Sequence, residues 1–239
     1  MDVERVQQQP CFVLHHRAYK NTSLIVDLIT RDYGRISLVA KAAKQAKSPL
    51  KCILHTFQPL NIAWVRRSEL GTLTAAEFSG TPLSLLQDRL YAALYLNEIM
   101  IRLLAQYDPV QDIFFSYENA LQKLHNNCEV EIVLREFEKA LLQSLGYEIS
   151  LSEEADTHLP IQRDEYYHYL PEYGFTKADP SDSEKFLFKG EHLLAFNENC
   201  FSEKAVLKAA QRITYITLKK LLGDKPLKSR ELIMALKSV

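Results

Sequence analysis

The chain is expected to be an α+β protein: a small closed β-barrel followed by an all-α helical domain. Three features lead there. Short runs of alternating or β-branched apolar residues fill roughly the first 80 residues, the apolar period then lengthens to that of a helix, and the turn residues Gly80-Thr81-Pro82 separate the two regimes. An apolar content of 47% with 25% charged residues belongs to a folded chain rather than a disordered one.

The first strand is expected at 12–16, FVLHH, and the second at 22–30, TSLIVDLIT, with Gly34 closing the turn after Asp32-Tyr33. Residues 35–41 set Ile36, Leu38 and Ala40 on one face and Arg35, Ser37, Val39 and Lys41 on the other; Leu60, Ile62 and Trp64 repeat that alternation, and 70–78 supplies a fifth strand. Five short strands in a chain with only seven glycines fit a barrel of the OB type better than a loop-rich sandwich. Beyond the boundary, Leu86, Leu90, Ala93, Leu94, Ile101 and Leu104 recur at helical spacing, interrupted by Asn97, whose amide needs partners if it is buried. Pro109 opens a second helix ending near His125. A third, about 129–145, carries the stripe Val130, Val133, Leu134, Phe137, Leu141 and Leu145 and stops at Gly146. Residues 147–190 read as irregular and acidic, with a hairpin-like excursion at 166–175; two helices, about 203–222 and 228–237, follow. The expected domains are 1–80, the OB-type barrel, and 81–239, helical with an irregular insertion at about 147–190.

No stretch approaches the roughly 20 apolar residues of a membrane span, and MDVERVQQQP lacks the apolar core of a signal peptide, so a cytoplasmic location is expected. Cys11, Cys52, Cys128 and Cys200 form no Cys-x-x-Cys pair, and the seven histidines have no metal-ligand spacing, so neither metal nor cofactor is expected. GDKPLKS at 223–229 lacks the second glycine and the preceding strand of a phosphate-binding loop, and no Gly-x-Ser-x-Gly elbow exists. Nothing in the chain reads as an active site.

The net charge of −1 conceals a segregation. Residues 1–80 hold 11 Lys and Arg against 6 Asp and Glu, residues 81–203 hold 9 against 22, and residues 204–239 hold 9 against 2. Basic ends around an acidic middle suggest a polyanionic partner for the ends. Lys41, Lys44, Lys47 and Lys51 lie in one acid-free loop of the expected barrel; Arg17 and Lys20 follow the first strand, and Arg31 and Arg35 flank the next turn. Tyr19, Tyr33 and Phe57 are candidate stacking rings, with core burial the competing reading. In the helix at 203–222, Lys204, Lys208, Arg212, Tyr215 and Lys219 fall within roughly 80° of one another, opposite Val206, Ala210, Ile213, Thr214, Thr217 and Leu221. Cations four residues apart repel, which a polyanion would relieve; a solvated back of a core helix would look the same.

The run FVLHHRAYKNTSLIVDLITRDYGRISLVAKAAKQAKSPLKCILHTFQPL at 12–60, LYLNEIMIRLL at 94–104, LREFEKALLQSLGY at 134–147 and the tail GDKPLKSREL at 223–232 resemble, in order, the bacterial recombination mediator family RecO. The resemblance implies an OB barrel and a helical domain, binding of single- and double-stranded DNA, strand annealing, and help in loading recombinase onto DNA coated by single-strand-binding protein. The implied partners are the acidic C-terminal tail of that protein and the ring-forming mediator RecR, at the nucleoid. By position, Arg17, Arg35, Lys41 and Lys51 match the family's basic barrel residues. Arg135 matches a cation suited to an acidic tail, with Arg102 placed beside it in that role, and Lys225, Lys228 and Arg230 match the tail motif. Many members bind zinc through two Cys-x-x-Cys pairs after the GY motif; residues 147–175 here hold no cysteine, which points to the branch without zinc.

Three other readings stay open on the sequence: an RNA- or ribosome-associated OB module, an interaction scaffold whose acidic middle docks a basic protein, and a metal-dependent hydrolase using Glu153 and Asp156.

Overall fold

The computed structural model describes residues 3–68, 70–179, 187–230 and 232, which divide into two compact units, 1–127 with 226–239, and 128–225. The change from sheet to helix near residue 80 thus lies inside the first unit. Among the described residues no helix is long and apolar enough to cross a membrane.

The first unit is built on strands β1 (Glu4–Tyr19), β2 (Ser23–Thr30), β3 (Gly34–Ala40), β4 (Pro59–Arg66) and β5 (Gly71–Phe78), closed in the order β1-β2-β3-β5-β4. All pairings are antiparallel except the short β3–β5 seam at Leu38–Gly71 and Val39–Thr72, and the arrangement is that of an OB barrel. Val13, Val26, Leu28, Ile36, Leu38, Leu60, Ile62 and Trp64 fill its interior, so the expected alternation in β3 and β4 holds. The one-turn helix α1 (Leu50–Ile53) packs Leu50 and Ile53 against that core. β1 is far longer than the five residues read from sequence. The run Gln7-Gln8-Gln9-Pro10 is polar, and register slips between Val6 and Gln9, with Gln8 at φ 53°, destroy the alternation there. Gly34, at φ 64°, could not be replaced cheaply: a Cβ would stand 1.9 Å from the Asp108 carbonyl oxygen.

At Cys11–Leu14 strand β1 is buried on both faces, because helices α2 (Asp88–Leu103) and α3 (Gln111–His125) complete the unit. Phe12 meets Phe114 at 5.6 Å and Tyr117 edge-on at 5.4 Å between ring centroids. The buried residues of α2 are Ala92, Ala93, Tyr95, Leu96, Asn97, Ile99 and Met100. This corrects the expected stripe: Leu86 precedes the helix and is 68% exposed, and Leu90, Leu94 and Ile101 are only half-buried. α2 is apolar around most of its girth, so periodicity alone misplaces the inward face.

Asn97 is buried and satisfied on both sides of its amide. Its Nδ2 donates to the Leu14 carbonyl at 2.7 Å, and its Oδ1 accepts from the Tyr117 hydroxyl at 2.5 Å. Burial raises the Tyr117 hydroxyl far above its ordinary pKa, despite the opposing bond to Asn97, so it remains a donor.

The tail motif also has a place in this unit. Glu98 accepts from the Lys228 and Ser229 backbone N–H groups at 2.9 and 2.8 Å and from Ser229 Oγ at 2.7 Å, while Arg102 Nη1 donates to the Pro226 carbonyl at 3.3 Å. Residues 228–230 and 232 are helical; the rest of the helix expected at 228–237 lies outside the described residues.

The second unit contains α4 (Val130–Ser144), β6 (Tyr166–Leu170), β7 (Gly174–Ala178), β8 (Leu187–Lys189), α5 (Gly190–Asn197) and α6 (Lys204–Leu222). The segment expected to be irregular carries a three-stranded sheet of order β7-β6-β8, so the region after the barrel is not purely helical; residues 180–186 of that expected insertion lie outside the described residues. Tyr169, Phe175 and Phe188 pack as a cluster, Tyr169 and Phe175 at 4.8 Å, and share a core with Ile161, Leu193, Phe196, Val206, Ala210 and Ile213. The two threonines on the apolar face of α6 are both buried. Thr217 bonds to Tyr169 Oη at 2.7 Å and donates to the Ile213 carbonyl at 3.0 Å.

Two outcomes follow. Asn97→Leu would remove the bonds to the Leu14 carbonyl and from the Tyr117 hydroxyl, and is expected to lower stability by about 2–4 kcal/mol in urea unfolding, with partial recovery in Asn97→Leu/Tyr117→Phe; a loss below about 0.5 kcal/mol would contradict the assignment. For Glu98, partial burial raises the carboxyl pKa, but the bonds from Ser229 and Lys228 outweigh it and the net position is below the ordinary 4.5. A depressed folded value means that the tail clasp is held above pH 4.5 and released as pH falls through the depressed value. Glu98→Gln is expected to release it at neutral pH, read as faster amide exchange at Lys228 and Ser229.

Candidate nucleic-acid interface

The four lysines of the β3–β4 connection are all exposed, and among the described residues none is in an ion pair. The connection is not the flexible loop that its composition suggests. Successive turns order it, through Gln45 N–H to Ala42, Ser48 N–H to Gln45 and Lys51 N–H to Ser48 at 3.0–3.2 Å, and buried Ala43 with Leu54 anchors it to the barrel core. Lys44 N–H also donates to the Thr22 carbonyl at 2.9 Å, which ties the connection to the β1–β2 turn that carries Lys20. Lys20 is exposed, at φ 51°, with its Nζ 5.4 Å from the centre of the Tyr19 ring. The structure therefore brings Lys20 alongside the lysine connection, a juxtaposition that the sequence could not show.

The barrel arginines are differently placed. Arg17, 59% exposed, reaches the buried carboxylate of Asp27 at 3.5 Å. Arg31 is held by the Asp32 carboxylate at 3.0 Å through both Nε and Nη2; this bond holds the Asp32 carboxyl below its usual range, and Gln111 also donates to it. Arg35 is half-buried, donates from Nε to the Leu104 carbonyl at 2.9 Å and accepts the Tyr107 N–H on its own carbonyl, so its fork braces the barrel. Of the rings, Phe57 is buried, Tyr33 packs edge-on against Trp64 at 5.0 Å, and Tyr19 is half-exposed beside Lys20.

In the second unit, α6 has the two faces its periodicity predicts. Lys204, Lys208, Arg212, Tyr215 and Lys219 are exposed, whereas Val206, Ala210, Ile213, Thr214 and Thr217 are buried. Arg212 sits over the Phe188 ring at 4.9 Å. Lys204, Lys208 and Lys219 are in no ion pair among the described residues; Lys220, off the stripe, takes Glu172 at 2.7 Å.

Arg135 does not present its guanidinium to solvent. It is buried and pairs one turn along α4 with buried Glu138 at 2.6 Å. A carboxylate-ended tail could reach it only by displacing that pair. Arg102 is half-exposed near the end of α2, already donating to Pro226. Lys225 and Lys228 are exposed on the tail, and Arg230 is exposed beside them.

Zinc ligation as in the family's cysteine-bearing members does not fit residues 147–175. Glu154 is buried and accepts from Thr157 Oγ1 at 2.5 Å, Ala155 N–H donates to the Phe175 carbonyl at 2.8 Å, and Ile161 N–H to Ser152 at 2.8 Å. Hydrogen bonds knit this stretch together. Among the described residues no three His, Cys, Asp or Glu side chains are placed to hold a metal, so Glu153 and Asp156 gain no third ligand.

Removing one partner of a buried ion pair leaves the other charge uncompensated. Arg135→Ala is therefore expected to cost about 3–5 kcal/mol of stability, read by urea unfolding, while the paired replacement Arg135→Met/Glu138→Leu recovers most of it. Stability unchanged in Arg135→Ala would contradict the pairing.

Two family models cover nearly the whole chain: "Recombination protein O N terminal" over residues 1–82 and "Recombination protein O C terminal" over residues 87–231. The DNA repair protein RecO of Coxiella burnetii is 44% identical over 230 residues, 96% of this chain and 99% of that protein. Those of Photobacterium profundum and Aliivibrio salmonicida are 43% and 40% identical, over 95% of this chain and 95% and 94% of theirs. With the barrel, the helical region and these likenesses in hand, the chain belongs to the RecO family of DNA repair and recombination proteins.

Proposed function

We propose that the chain binds single- and double-stranded DNA through Lys20, Lys41, Lys44, Lys47 and Lys51 on the first unit and Lys204, Lys208, Arg212 and Lys219 on the second. The observation that carries this reading is the ordered β3–β4 connection: four exposed lysines without ion pairs among the described residues, bound by its backbone to the turn that holds Lys20. Unpaired cations held outward on a braced loop do nothing for the barrel's own stability, and phosphates are the natural partner for them. Arg31 and Arg35 are left out of the proposed contact set, since Asp32 and the Leu104 carbonyl already occupy them.

Binding of this kind is insensitive to sequence and sensitive to salt. It acts by neutralising charge: two complementary strands repel, and cations along each lower that cost while the bases stay free to pair. Strand annealing and assistance to recombinase loading on DNA coated by single-strand-binding protein follow from this mechanism, without turnover of a substrate. The proposed protein partners are the acidic tail of single-strand-binding protein and the ring-forming mediator RecR, at the nucleoid in the cytoplasm. Arg102, whose contact with the Pro226 carbonyl lies exposed to solvent, is proposed ahead of the buried, internally paired Arg135 as the cation that meets the acidic tail.

The test is fluorescence anisotropy with labelled single-stranded DNA across a salt series. Lys41→Glu/Lys44→Glu/Lys47→Glu is expected to weaken binding at moderate salt by more than about tenfold and to reduce the slope of log K against log salt by about 2, with an unchanged unfolding midpoint. Unchanged affinity and slope in that variant would remove the loop from the interface.

A further inference from the structure

Strand β1 changes character after Leu14. Its register with β2 slips between Val13 and His15, and from there His15, His16, Arg17 and Ala18 are all exposed. Their rings stack, with centroids 6.4 Å apart and planes 22° from parallel. Val13 bridges in parallel to Thr56, which brings exposed His55, the last part of the lysine connection, to the same stretch of β1.

The charges around these rings are few. His15 Nδ1 is 3.8 Å from Asp27 Oδ2 on β2, a carboxylate that also serves Arg17 at 3.5 Å, accepts from Ser37 Oγ of β3 at 2.5 Å and acts on Arg35. Neither His16 nor His55 is in an ion pair among the described residues. Partial burial first, then the neighbouring charges of His15 and His55, lower the His16 pKa below its ordinary value. His15 and Arg17 thus meet one buried carboxylate, with His16 stacked on His15 and His55 brought to the same stretch of β1.

We propose that His15, His16 and His55, together with Arg17, form a proton-gated subsite for a backbone phosphate, so that nucleic-acid binding by the first unit takes up protons. The proposal rests on the nucleic-acid reading above and extends it to three histidines that the count of Lys and Arg leaves out. A phosphodiester oxygen beside the rings supplies the counter-charge that Asp27 alone does not, and so favours the protonated imidazoles. The sign follows from linkage: a ligand that prefers the protonated rings binds more tightly as pH falls through the imidazole range.

The experiment is titration calorimetry of the full chain with an oligothymidylate near neutral pH, in two buffers of different ionisation enthalpy, alongside anisotropy at about pH 6 and about pH 8 at matched ionic strength. The expected results are net proton uptake and an affinity about fivefold higher at the lower pH. His15→Asn/His16→Gln/His55→Gln is expected to lose that gain, whereas His192→Gln, in the second unit, keeps it. Binding whose heat is the same in both buffers and whose affinity is the same at both pH values would overturn the subsite and leave the nucleic-acid reading standing. Retention of the pH gain by the triple variant would likewise overturn it. No binding at either pH would overturn both.

Discussion

One buried amide decides which face of the barrel is free. Asn97 stands in an otherwise apolar contact among β1, α2 and α3, and its two bonds, to the Leu14 carbonyl and from the Tyr117 hydroxyl, are satisfied in one rotation of α2 against β1. Apolar packing around Phe12, Phe114 and Met100 supplies affinity between these elements but little discrimination between neighbouring registers. A polar group that must find both partners supplies the discrimination. With α2 and α3 fixed there, the outer surface of β1 at Cys11–Leu14 is closed, while the β1–β2 turn, the β3–β4 connection and the histidine-bearing end of β1 stay open to solvent.

Much of this could be read from residue order, and the exceptions have physical reasons. β3 and β4 were legible because Ile36, Leu38, Leu60, Ile62 and Trp64 are buried and alternate with residues that, Ser37 apart, are less buried, and so mark their own strands. The first half of β1 was hidden by glutamines and a bulge, and α2's inward face by apolar residues on nearly every side. The sheet of β6, β7 and β8 was reduced to a hairpin because its pattern mixes tyrosine with histidine and its third strand is three residues long. Asn97 was visible as an interruption, but its partners, 83 residues upstream and 20 downstream, were not.

For the candidate interface, residue type was legible and availability was not. A lysine, an arginine bound to a neighbouring aspartate and an arginine bracing a carbonyl carry the same letter-level charge, yet only the first has that charge to offer. Arg31, Arg35 and Arg135 fall out on this ground, and Lys20 gains weight because the Lys44–Thr22 bond sets its turn against the lysine connection. The amphipathic order of α6 needed no tertiary information, since a helix with one buried face declares it by period. The acidic surplus between residues 81 and 203 contrasts with the basic ends.

The central claim is that particular lysines, and not basic composition at large, meet the phosphate chain. Acylation footprinting read by mass spectrometry, with and without single-stranded DNA at low salt, reports each ε-amine separately. Shielding is expected at Lys20, Lys41, Lys44, Lys47, Lys51, Lys204, Lys208 and Lys219, with Lys177, paired to Glu165, unchanged. Lysines of the β3–β4 connection and α6 that stay as reactive as in the free protein while DNA is bound would contradict the account.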